Sequence, residues 1–178
     1  MKKVSNPLYK VNKENWVKKG LLILKRKGIT GLKIDTLAAR LKVTKGSFYH
    51  HFENYEDLEK AIAESWKNDL QKSLLNAQSN SVADSLRRFY SSVNVEEESK
   101  LRNWAQRSKH AKTAIEEIDK NRIEFLHETY TKKYSPEAAK AKAYLEYGAF
   151  IGVQQLYEHI DQRMIKSVSN EFMQLFRH

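Results

Sequence analysis

Residues 37–52 read LAARLKVTKGSFYHHF. Leu37, Ala38 and Leu41 recur at helical spacing, Lys42-Val43 interrupts the period, Thr44 is placed to cap a second helix, and Phe48 and Phe52 restore the apolar side. Lys45, Gly46, Ser47, Tyr49 and His50 are left for the outer side. Two short helices meeting at a tight turn, with a small, basic, hydroxyl-bearing surface beyond it, form a helix-turn-helix pattern. In such a unit the second helix lies in a major groove and its first turn meets base edges.

The flanking sequence supplies what such a unit needs. A first helix is expected from about Asn12 to Lys27, with Trp16, Val17, Leu21 and Leu24 as its inward stripe and Gly28 as its end. Helix 2 is expected at about 33–41 and helix 3 at about 45–51. Asn54 is placed to cap a long fourth helix that starts with Glu56 and Asp57 and continues through Leu58, Ile62, Trp66 and Leu70. Residues 1–12, with Lys2, Lys3 and Lys10 around Pro7, read as a mobile basic arm.

Past the polar break Asn76–Ser81, further helices are expected at about 82–94, 96–108, 110–133, 136–160 and 162–177, the fourth of these begun by Ser135-Pro136. The chain thus reads as all-α with about nine helices. Residues 1–55 form the arm and a three-helix DNA-reading domain, and residues 56–178 a helical effector-binding and dimerisation domain entered through the long fourth helix. Two prolines and six glycines in 178 residues agree with helix throughout.

Charge is concentrated where the motif lies. Residues 1–60 hold fourteen Lys/Arg against six Asp/Glu, which is +8 of the chain's formal +10. A basic surface can serve solubility alone, but its coincidence with the motif points to a polyanionic partner. Neither a membrane span nor a secretory leader is indicated, so a cytoplasmic protein is expected. The absence of cysteine excludes disulfides and thiolate metal sites.

Enzymatic chemistry finds no support. No nucleophile with an orienting base, phosphate-cradling glycine loop or convergent carboxylate pair is recognisable. His110, His127 and His159 are scattered, without ligand spacing, so neither metal nor other cofactor is expected. The run Glu96-Glu97-Glu98 reads as a solvated helix start, because adjacent carboxylates on a helix diverge in direction.

On these residues the chain resembles the TetR family of bacterial transcriptional regulators, most closely over about residues 16–60. Leu37-Ala38, Val43-Thr44, Gly46, Phe48-Tyr49 and His51-Phe52 stand at the places of the family's pattern. Residues 101–122, LRNWAQRSKHAKTAIEEIDKNR, are similar to a segment of one group of these regulators, with Trp104, Asp119 and Arg122 in place. The resemblance implies a homodimer on a palindromic operator of double-stranded DNA, acting as a repressor and released by a small-molecule effector.

It also assigns roles. Thr44, Lys45, Gly46, Ser47, Tyr49 and His50 would meet DNA, with Tyr49 and His51 as phosphate clamps, and Lys33 and Tyr55 occupy positions that meet phosphates in the family. Trp66, Phe89, Trp104, Phe125, Tyr144 and Tyr147 would line an effector cavity, or else fill a core. Ala141, Leu145, Gly148, Gly152 and Gln155, with Ile165, Val168, Phe172 and Leu175, would form the dimer surface, or else an intramolecular core.

Three positions depart from the pattern. Lys42 stands where the turn usually has glycine, and must take a left-handed conformation or reshape the turn, at a cost of roughly 1 kcal/mol. Lys33 replaces a Ser/Thr, and Tyr55 replaces a Lys. These departures leave open a second reading, a TetR-like scaffold that has lost operator binding and acts through protein contacts.

Overall fold

The computed structural model of the protein describes residues 11–156 and 159–176, and the basic arm lies outside them except for Val11 and Asn12. Among the described residues there are nine α-helices and no strand: α1 (Lys13–Lys27), α2 (Ile34–Leu41), α3 (Gly46–Tyr49), α4 (Tyr55–Ala77), α5 (Val82–Ser91), α6 (Val95–Ala105), α7 (Lys109–Thr131), α8 (Pro136–Leu156) and α9 (Gln162–Leu175). A single 3-10 turn, Ile29–Gly31, joins α1 to α2.

Local chemistry sets the helix ends. The Asn12 side chain accepts the Asn15 N–H at 3.0 Å while the Asn15 side chain accepts the Asn12 N–H at 2.9 Å, a reciprocal cap that satisfies two donors at the start of α1. Gly28 then ends α1 at φ 66°, a backbone state that a side chain would strain. Asn54 caps α4 by accepting the Asp57 N–H at 2.9 Å. Ser81, Asn94, Ser108 and Asp161 cap α5, α6, α7 and α9 in the same way.

Two apolar cores hold the helices together. The first collects Trp16, Leu24, Leu37, Phe48, Phe52, Leu58, Ile62 and Trp66 from α1–α4 and the loop after α3, and continues into Leu101, Trp104, Ala111 and Ile115 of α6 and α7. Fully burying each large side chain of this kind contributes about 1.5–3 kcal/mol. Helix α1 lies close on α4 because residue 20 is glycine, where an added Cβ would stand 2.5 Å from Ile62. The second core, with Phe89, Phe125, Tyr130, Ala143, Tyr147, Phe150 and Phe172, lies among α5, α7, α8 and α9.

Polar links tie α4 to α6 and α7. Trp104 donates its indole N–H to Glu59 at 2.9 Å, and Glu56 meets Lys109 at 2.9 Å and His110 at 3.0 Å. Lys67 bridges Glu64 and Glu117, each at 2.9 Å.

The structure revises the reading of the glutamate run. Glu96 and Glu97 lie toward solvent, but Glu98 is buried and accepts from both terminal nitrogens of Arg122, Nη2 at 2.8 Å to Oε2. Three consecutive helix positions span about 200° of the helix circumference, so one of the three faced the interior when α6 packed on α7. Burial alone would raise the Glu98 carboxyl, but the guanidiniums of Arg122 and Arg102 outweigh it and hold it below the usual range.

Candidate nucleic-acid interface

Helix α3 is shorter than its sequence pattern suggests. Only Gly46–Tyr49 is regular helix, Lys45 rather than Thr44 occupies the cap position, and no side-chain cap bond forms there. The turn continues beyond it through the His51 and Phe52 N–H groups, which donate to the Phe48 carbonyl at 2.9 and 3.0 Å. What orients this short rod is aromatic packing. Phe48 is fully buried, edge-on to Trp16 at 5.5 Å and stacked on Phe52 at 5.1 Å.

The preceding turn is made at a cost. Lys42 adopts φ 59°, ψ 38°, the left-handed state, and the N–H groups of Lys42 and Val43 donate back to Ala39 and Ala38 at 3.2 and 3.0 Å. Those bonds close the end of α2 and turn the chain into α3. The lysine accepts the strain of roughly 1 kcal/mol that glycine would avoid.

With Phe48 inward, the opposite side of the rod faces solvent. Thr44, Lys45, Gly46, Tyr49 and His50 are exposed, Tyr49 at 58%. Gly46 is not required by packing, since an added Cβ would find only the Thr44 hydroxyl within 4 Å, at 3.7 Å. Ser47 is half-buried, and Lys33, before α2, is exposed.

His51 and Tyr55 are engaged with the protein's own backbone. The His51 ring donates from Nε2 to the Val11 carbonyl at 3.2 Å, and the Tyr55 hydroxyl donates to the Leu32 carbonyl at 3.0 Å. Burial, with Glu59 nearby, pushes the Tyr55 hydroxyl up to about 12. Together with the ion pair between Lys13 and Asp57 at 3.5 Å, these contacts pin α1, α2 and α4 behind the exposed rod.

One participant escaped the sequence reading. Asp35, in the first turn of α2, lies 3.3 Å from the Lys45 ammonium, with both side chains largely exposed. An acid in a helix's first turn looks like an ordinary dipole partner, and nothing in a separation of ten residues signals the contact.

The residues proposed for an effector cavity or else a core divide between the two cores and the surface. Trp66 and Trp104 belong to the first core, Phe89, Phe125 and Tyr147 to the second, and Tyr144 is exposed at 54%. Between α6, α7 and α8 the interior holds charges instead. Arg102 meets Asp119 through two bonds of 2.7 and 3.1 Å and donates from Nε to Gln154 at 2.7 Å, and Tyr147 donates to Asp119 at 2.6 Å. Buried Glu146 accepts from the hydroxyls of Tyr90, at 2.6 Å, and Tyr130, and burial raises its carboxyl above the usual range. Among the described residues no group of three or more potential ligands could hold a metal ion.

The residues proposed for a dimer surface divide between the two sides of their helices. On α8, Ala141, Leu145, Gly148 and Gln155 are exposed, and among the described residues nothing beyond the local helix backbone lies within 4 Å of a Cβ built on Gly148 or Gly152. On α9, Leu175 is exposed at 76%, Ile165 and Val168 are half-buried, and Phe172 turns inward against Tyr90 at 5.1 Å and Phe176 at 4.8 Å.

Residues 19–62 match the family model of bacterial regulatory proteins of the tetR family. No curated relative matches the chain. Among solved structures the chain is similar to a TetR transcriptional regulator from Legionella pneumophila, with TM-score 0.75, 14% identity, and coverage of 94% of this chain and 98% of that one. It is also similar to the reduced form of E. coli NemR, with TM-score 0.72, 17% identity, and coverage of 92% and 95%. A transcriptional regulator from Rhodococcus sp. Rha1 gives 0.69, 16%, and 82% of both chains. At these identities the likeness is one of fold.

Proposed function

We propose that this chain, whose residues 19–62 match the model of bacterial regulatory proteins of the tetR family and whose fold is that of TetR-type transcriptional regulators, is a member of that family and a sequence-specific DNA-binding regulator. It acts as a cytoplasmic homodimeric repressor that leaves a palindromic operator when a small molecule binds. Residues 1–55 read DNA and residues 56–178 dimerise and take the effector. Among the described residues no helix is long and apolar enough to cross a membrane.

The observation that carries this reading is the orientation of α3. Phe48 anchors the rod in the core, so Lys45, Gly46, Tyr49 and His50 present a cationic, hydrogen-bonding, sterically open side outward. Lys45 and the backbone around Gly46 reach base edges, while Tyr49, His50, Thr44 and Lys33 serve phosphates. His51 and Tyr55, whose polar atoms bond to the protein backbone, set the geometry of the reader, and Ser47 stands at its margin. One reader makes too few contacts for useful affinity, so two are joined across the exposed faces of α8 and α9. Their recognition helices would read successive major grooves about 34–36 Å apart.

Selection of bound duplexes from a random pool tests this directly. Recovery of a palindrome with half-sites one helical turn apart is expected. A pool with no enriched sequence would overturn the reading.

The engagement of Tyr55 with Leu32 and of Lys45 with Asp35 favours the second reading, a scaffold without operator binding that works through protein contacts. A salt titration on random duplex separates the two. Several phosphate contacts give a steep fall of log K with log salt, at a slope of about −0.9 per contact, and a protein-binding scaffold gives almost none.

A further inference from the structure

A cavity of about 330 Å³ opens between α5, α8 and α9 near the start of α6, and none of the residues that the sequence suggested for an effector lines it. Its walls are the rings of Tyr90, Phe150 and Phe172 with the side chain of Val153. Tyr90 lies 5.7 Å from Phe150 and 5.1 Å from Phe172, centroid to centroid, so the three rings line one continuous apolar surface. Beside Tyr90, the polar residues that line the cavity are Arg87, Ser91 and Ser169, and among the described residues no acidic side chain lines it.

We infer that this cavity is a binding site for a small, flat, apolar carboxylate whose ring system lies among Tyr90, Phe150 and Phe172 and whose anionic end meets Arg87. The volume is at the low end for a small-molecule site, where such sites span roughly 300–1,000 Å³. Tyr90 offers a ring face rather than a hydroxyl, because its O–H is committed to Glu146 at 2.6 Å. Recognition of the polar end therefore falls to Arg87 and the serines. Arg87 is available there, since its partner Asp84 lies on its own helix at 3.2 Å and the pair is largely exposed. An exchange of Asp84 for a ligand carboxylate leaves the guanidinium charge matched. A cationic ligand would find no carboxylate among the described lining residues and would meet Arg87.

The site also suits control of the assembly, a consequence that rests on the regulator reading above. Helix α9 forms one wall through Ser169 and Phe172, while Leu175 and Met164 of the same helix are exposed. A ligand that moved Phe172 would displace α9, and with it the surface proposed for the partner subunit. It would release DNA only to the extent that it bound the two arrangements unequally.

The probe is 2-naphthoate, with 2-naphthylmethanol as its neutral counterpart, titrated calorimetrically into the full-length protein. Saturable binding of the carboxylate is expected, with the alcohol weaker by about fivefold to tenfold, the range for an anion meeting a partly exposed guanidinium. Arg87→Ala should remove that preference. Val153→Trp, which fills the cavity, should abolish binding while far-UV circular dichroism stays unchanged, and Ser169→Trp fills it from the opposite wall should Val153→Trp fail to fold. No saturable binding of naphthoate, equal affinity for the alcohol, or full binding by a folded cavity-filling variant would each overturn the proposal. Selection of bound duplexes by the wild type is scored separately, so a failure of the DNA-binding reading is told apart from a failure of this site.

Discussion

The Lys45 ammonium at the start of α3 lies 3.3 Å from the carboxylate of Asp35, which the turn at Lys42 brings across from α2. An exposed pair of this kind contributes roughly 0–1 kcal/mol to folding, so its consequence lies in binding. Asp35 neutralises one of the cations that faces outward. Asp35→Asn is therefore expected to leave stability unchanged, tighten binding to random duplex and steepen the salt slope by about one unit, whereas Lys45→Ala flattens it by about one. Fluorescence anisotropy across a salt series measures both, and identical slopes in the two variants would remove Lys45 from the interface.

Lys42 offers a test of backbone strain. At φ 59° a lysine carries a penalty that glycine lacks, so Lys42→Gly is expected to raise stability in urea. The gain is limited to roughly 1 kcal/mol or less, because glycine also loses more chain entropy on folding. A large loss of stability would mean that the Lys42 side chain makes contacts that outweigh its strain.

Phe48→Ala removes the anchor of α3. The ring is fully buried between Trp16 and Phe52, and its truncation should cost about 3–5 kcal/mol in chemical denaturation. DNA binding is expected to fall with folding. A variant of wild-type stability with impaired DNA binding would show that Phe48 belongs to the interface instead.

The buried pair of Glu98 and Arg122 predicts both a mutational and a pH effect. Glu98→Gln leaves the Arg122 guanidinium unmatched in the interior, with an expected loss of about 3–5 kcal/mol, while Glu98→Leu combined with Arg122→Met should recover much of it. The Glu98 carboxyl sits below its ordinary range in the folded protein, so its stabilisation is present above the usual glutamate value and fades as pH falls through the lowered one. Glu146, raised by burial, has the opposite sign: its contribution is present at low pH and declines as pH rises through its raised value. Urea denaturation as a function of pH should show the acid-side loss in the wild type and a shallower one in the double variant. Identical acid limbs would assign the acid sensitivity elsewhere.

The exposed face of α8 carries the dimer prediction. Leu145 is 70% exposed and, among the described residues, nothing beyond the local helix backbone lies within 4 Å of a Cβ added at Gly148 or Gly152, so Gly148→Trp is expected to leave the packing of these residues intact. Sedimentation is expected to show a dimer for the wild type and a monomer for Gly148→Trp at equal thermal stability. A variant that remains dimeric would place the interface on another face.

Helix periodicity, caps and breaks were legible in the sequence because they depend on neighbours a few residues apart. Asn12, Gly28, Asn54 and Pro136 mark helix ends through local hydrogen bonding and dihedral preference, and Phe48 and Phe52 mark the inner side of the reader through spacing alone. The length of α3 was less legible, since Thr44 has the chemistry of a cap but the chain places Lys45 there. Tertiary packing alone decided that Glu98 enters the interior to meet Arg122, twenty-four residues away, that Tyr55 and His51 spend their polar atoms on backbone carbonyls, and that Asp35 reaches Lys45. The same packing opened the α5–α8–α9 cavity and divided the large aromatic residues between two cores, Trp66 and Trp104 in one and Phe89, Phe125 and Tyr147 in the other. The reason is the range of the forces: a dihedral or a cap is settled within one helical turn, while a desolvated charge or a cavity exists only once separate helices meet.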